Sequence, residues 1–109
     1  MLLNDPQYIE AARGLAENVM KTSGKQLDIK LNILFRTVTG RKIQSRELET
    51  LKRFYREEKD KFSKNPNKAI AYLQTGEKPL NRQLNFVETA ALASLASGIM
   101  NTAEAITIN

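Results

Sequence analysis

The sequence predicts an all-α fold: a single-domain bundle of about five helices closed around a buried, largely apolar C-terminal helix. Apolar residues recur at three- and four-residue spacing through most of the chain. Helix starts and stops are punctuated by Asx-Pro pairs, Ser and Gly. Strand character is confined to Ile106-Thr107-Ile108, which is too short to pair. With 109 residues and 12.3 kDa the chain is one domain's worth, and surface scaling allows about two-thirds of the unfolded surface to be buried.

The first helix is expected to start at Pro6 and run to about Lys21. Asp5 supplies a capping carboxylate, and Pro6 occupies the first helical position, where no N–H is needed. Tyr8, Ala12, Leu15, Ala16 and Val19 form its inward stripe, with Glu10, Arg13 and Glu17 on other faces. Thr22-Ser23-Gly24 stops it. A second helix, starting near Lys25, shows Leu27, Leu31, Leu34, Phe35 and Val38 on one face and ends at Gly40.

The turn Arg41-Lys42-Ile43-Gln44 leads to Ser45, the expected N-cap of the third helix, with Glu47 favouring the dipole in its first turn. Leu48, Leu51, Phe54, Tyr55 and Phe62 are expected inward. Glu49/Arg53 and Glu57/Lys61 are expected outside as acid-before-base pairs. Asn65-Pro66 opens a short fourth helix through Ala69, Ile70 and Leu73, ending near Gly76. Its likeness to Asp5-Pro6 is shared capping grammar, since the residues that follow do not repeat. A polar linker, residues 77–82, contains Pro79.

Asn85 and Glu88 stand in capping-box spacing at the start of the last helix. From 87 to 100 it is apolar or small nearly all round, with Glu88 the only charge. Such a helix belongs at the centre of a bundle. Ser94, Ser97 and Gly98 are expected to let neighbours approach closely.

Composition removes several chemistries from this chain. With no Cys there is no disulfide, thiol nucleophile, thiolate zinc site or covalent haem attachment. With no His, the commonest acid/base catalyst and transition-metal ligand is missing. The N-terminus lacks the basic region and apolar core of a signal peptide. The longest apolar stretch, 90–100, falls short of the ~20 residues a membrane span needs.

Net charge is +5 and unevenly spread. Residues 21–56 hold 10 basic and 3 acidic residues, leaving 7 basic and 9 acidic elsewhere. The second helix, the Arg41-Lys42 turn and the third helix have a helix-turn-helix outline, with Arg46, Lys52, Arg53 and Arg56 as phosphate contacts. No base-reading polar set is marked on that surface, so nucleic acid is not the expected partner. The run Glu57-Glu58-Lys59-Asp60-Lys61 reads as a solvated face rather than a catalytic carboxylate pair. No EF-hand loop, Gly-rich phosphate loop or nucleophile elbow occurs. No catalytic, cofactor-binding or metal residue is assigned. The polar candidates are Asn4, Asp5, Arg36 and Arg41. They are read first as structural, with Asp5 an N-cap and the arginines capping carbonyls or pairing with acids.

Four ordered blocks carry a resemblance: Leu3-Asn4-Asp5-Pro6 with Glu10-Ala11-Ala12-Arg13; Phe35-Arg36 with Thr39-Gly40-Arg41 and Glu47-Leu48; Asn65-Pro66 with Ala69 and Gly76-Glu77; and Ala90-Ala91 with Met100-Asn101 and Glu104. Together they resemble the C-terminal helical part of a bacterial domain of unknown function associated with planctomycete cytochrome c domains. The turn Arg41-Lys42-Ile43 departs from that pattern in lacking prolines. The resemblance implies that 1–109 is the helical C-terminal fragment of a larger multidomain protein of the periplasm or cell envelope. It implies upstream domains of the same protein as partners, and haem, if any, held elsewhere in the parent. The function expected is a non-enzymatic interaction or assembly module. The alternatives are part of a polysaccharide-processing enzyme completed by upstream domains, and a basic nucleic-acid-binding domain.

Overall fold

Five helices follow one another: α1 (Pro6–Thr22), α2 (Leu27–Thr39), α3 (Ser45–Lys64), α4 (Pro66–Leu73) and α5 (Phe86–Ile108). The computed structural model describes residues 6–22, 26–74 and 85–108, with side chains for 10–21, 26–74 and 85–101. The Asp5 cap, the Ser23-Gly24 stop, Gly76 and the linker at 77–82 lie outside the described residues. Among those described there is no strand, and the backbone of Ile106-Thr107-Ile108 is helical.

Helix α5 packs against each of the other four. Ala90, Ala91, Leu92, Ala93 and Ala96 are fully buried. The alanines set the spacing, because a methyl side chain lets four helices crowd one axis without voids. Ser94, Ser97 and Gly98 were expected to do this, and for Gly98 the expectation is corrected. Gly98 is exposed and a Cβ built there meets nothing within 4 Å, while the two serines make side-chain hydrogen bonds. Leu31 and Leu34 of α2, Tyr55 and Phe62 of α3, and Ala69 and Leu73 of α4 complete the core with Ala12, Ala16 and Val19 of α1. The Cα radius of gyration, 13.1 Å, is about that of a compact domain of this length.

Several helix ends follow local chemistry. Gly40 closes α2 in the left-handed conformation at φ 78°, its N–H donating to the Arg36 carbonyl at 2.8 Å. Asn85 Oδ1 accepts the Glu88 N–H at 3.0 Å, which confirms the α5 cap. Others differ from expectation. Helix α2 begins at Leu27, after extended Gln26, rather than near Lys25. Gln44, not Ser45, is the N-cap of α3, because the Glu47 carboxylate reaches back to the Gln44 N–H at 2.9 Å. Asn65 joins α3 to α4 through its backbone: its N–H donates to the Phe62 carbonyl at 3.2 Å, and its carbonyl accepts the Lys68 N–H at 3.0 Å.

Two burial corrections matter more. Arg13 is fully buried and Glu17 nearly so, one helical turn apart, with Nε and Oε2 separated by 3.6 Å. They widen the buried stripe of α1 by an adjacent row, a position that a charged residue conceals from any hydrophobic pattern. Phe54, expected inward, is 46% exposed. The stripe Leu48, Leu51, Tyr55 and Phe62 already supplies the inward face of α3, and Phe54 stands about 100° around the helix from Tyr55.

Candidate functional site

Phe54 opens onto a groove of about 830 Å³ walled by α3, the C-terminal end of α2 and the middle of α5. Phe35, Val38, Leu51, Leu95 and Ile99 make its floor and sides. Along α3 it runs from Arg46 to Glu58, about 18 Å at the helical rise per residue.

Each end is tied off by a polar cluster. At the α2 end, Arg41 donates from Nη1 to Glu47 Oε1 at 2.9 Å and from Nη2 to Oε2 at 2.6 Å. This is a bidentate fork–fork pair. The Arg41 guanidinium also lies 4.8 Å over the Phe35 ring. Glu47 thus holds two elements at once, accepting from the side chain of Arg41 and the backbone of Gln44. Those bonds, Arg41 first, bring its carboxyl down to about 2. The same pairing raises the Arg41 pKa. At the other end, Ser94 Oγ donates to Glu58 Oε1 at 2.8 Å, and Lys61 Nζ lies 3.0 Å from Oε2. Lys61 was expected to pair with Glu57; it takes the i,i+3 neighbour instead.

The α3 wall is fixed from behind. Buried Tyr55 is hydrogen-bonded to Glu88 of α5, and burial, then the Glu88 charge, pushes its phenol above the usual range. Tyr72 of α4 hydrogen-bonds Ser97 of α5, is raised chiefly by burial, and packs its ring 6.0 Å from that of Phe62. Lys52 of α3 reaches Asp28 of α2 at 3.3 Å. These links set the distance between the two sides of the groove.

Of the polar candidates, Arg41 lies in the groove, and its pairing with Glu47 agrees with the structural reading. Arg36 does not line it. Its side chain is exposed, and its carbonyl serves the Gly40 cap. Asn4 and Asp5 lie outside the described residues. The sequence reading missed Phe54 as a surface residue, and Glu47, Glu58 and Ser94 as groove residues. Only Phe54 carried a usable signal, its offset from the apolar stripe.

Chemically, the groove is suited to recognition. A carboxyl held near 2 stays ionised at neutral pH and is a poor proton donor. Glu58 is engaged by Ser94 and Lys61. The remaining lining is mostly apolar, with Arg46, Thr39 and Thr50 among it, and is open to solvent. Among the described residues no helix is long and apolar enough to cross a membrane. No protein-family model, curated protein or solved structure matches the chain.

Proposed function

We propose that this chain is a non-enzymatic helical interaction module that docks a partner segment in the groove between α2, α3 and α5. One observation carries the proposal: Phe54, 46% exposed, stands over an apolar floor while the carboxylates at both ends, Glu47 and Glu58, are already paired. Large aromatic side chains beside open apolar grooves are the usual anchors of docking surfaces. The sequence blocks that resemble the planctomycete cytochrome-associated domain make upstream domains of a longer cell-envelope protein the first partner to examine.

The test is site-specific photo-cross-linking in the full-length protein in its own host. A photoreactive residue replaces Thr50, which lines the groove, or exposed Asn67 on α4. The expected result is one defined cross-linked segment from position 50, lost on Phe54→Ala and not obtained from position 67. Identical products from both positions, or none from position 50, overturn the proposal.

A further inference from the structure

We infer that the groove's occupant is an acidic amphipathic helix of about three turns, its carboxylates all on the flank that faces α3; this rests on the docking reading above. The length follows from the 46-to-58 span, about 18 Å against a pitch of about 5.4 Å per turn. Openness selects a helix over an enclosed small molecule. Phe54 and Arg41 are each about half exposed along the mouth, whereas a small ligand's site buries most of its ligand.

The charge follows from which groups are already neutralised. Glu47 is paired with Arg41 and Glu58 with Lys61. Arg46 lines the groove, and the Arg53 guanidinium lies 5.9 Å over the Phe54 ring; among the described residues neither makes an ion pair with a carboxylate. An arginine stacked on an aromatic face keeps its N–H edge available for a carboxylate. Counting each lining carboxylate with its own partner, the α3 side of the lining is net positive through Arg46, while Arg53, outside the lining, has exposed Glu57 four residues on. Among the described residues the α5 rim offers Ser94 and Gly98, neither charged nor long. One flank calls for Asp or Glu and the other for small neutral residues. This asymmetry also sets the direction in which an amphipathic helix can lie.

The test uses three stapled synthetic helices sharing one leucine stripe at i, i+3, i+4 and i+7. Their single polar flank carries Glu, Gln or Lys. Fluorescence anisotropy reads binding to the whole chain at low and high salt. The Glu helix should bind at least about tenfold tighter than the Lys helix, a gap that shrinks with salt. Arg46→Glu with Arg53→Glu should invert the order. Arg56→Glu with Lys68→Glu makes the same change in net charge at exposed positions outside the groove and should leave the order intact.

If the three helices bind alike and the groove charge reversal changes nothing, the acidic partner is wrong and the groove still stands. If none binds, or binding ignores Phe54→Ala, docking itself is wrong. Dimerisation abolished by Phe54→Ala would assign the groove to a second copy, and displacement of the Glu helix by duplex DNA would assign it to nucleic acid. Either outcome overturns the inference.

Discussion

At the scale of single residues, two positions around the α2–α3 turn carry separable physics. Gly40 sits at φ 78° with nothing within 4 Å of an added Cβ, so any cost of substitution there is backbone cost alone. Gly40→Val should lose about 1–2 kcal/mol, the price of left-handed geometry for a residue with a Cβ. Gly40→Asn should lose less, because Asn tolerates that region. Equal thermal midpoints for the two variants would place the cost in side-chain packing instead. Glu47 acts through charge. Its carboxyl is about 2 when folded against an ordinary 4.5, so its contribution is fully present above pH ~4.5 and is lost as pH falls toward ~2. Thermal melts of the parent and Glu47→Gln should differ by a constant amount from pH 5 to 7, and converge between about pH 4.5 and 2. A gap that does not change over that window would mean that Glu47 contributes by shape and hydrogen-bond count only.

At the scale of elements, legibility tracked how local the cause is. The end of α2 at Gly40 and the start of α5 at Asn85 were readable because the chemistry lies within four residues of the boundary. The same holds for the central place of α5, where residues 87 to 100 are apolar or small apart from Glu88. Arg13 was unreadable, since nothing in the spacing of a charged residue announces a buried one. The groove was unreadable for a different reason: its walls come from three helices, and only the bundle brings Leu51, Leu95 and Phe35 together. Each element then carries its own expectation. Leu92→Ala in α5, at a fully buried position, should cost about 2–5 kcal/mol, while exposed Lys64→Ala should change stability by a few tenths. In α1, Glu17→Leu removes the carboxylate one turn from the buried Arg13 guanidinium and should destabilise, by at most about 3–5 kcal/mol. Arg13→Met combined with Glu17→Leu should recover much of that loss, because an apolar pair of similar volume removes the buried charge altogether. A double variant less stable than Glu17→Leu alone would show that Arg13 contributes through contacts other than its pairing with Glu17.

At the scale of the molecule, one helix shared by four neighbours makes the bundle a single cooperative unit. Helices α3 and α4 reach α5 through their tyrosines, Tyr55 to Glu88 and Tyr72 to Ser97. Neither helix can lose its place without exposing one of these phenols and the apolar face beside it. Far-UV circular dichroism reports the helices, and tyrosine absorbance reports those two phenols together with that of Tyr8, so thermal transitions by the two probes should superimpose. Alkali approaches the same unit from the other side. Both phenols are raised, chiefly by burial, above the ordinary value of 10.0. A raised folded pKa means the fold is favoured while the phenol is neutral, and that preference is lost as pH rises above 10. On alkaline titration the helix signal should therefore fall together with the late part of tyrosinate absorbance. Tyrosinate that appears completely before any helix is lost would mean that α3 and α4 detach from α5 individually, and the groove would then be a mobile cleft with no fixed walls to read a partner.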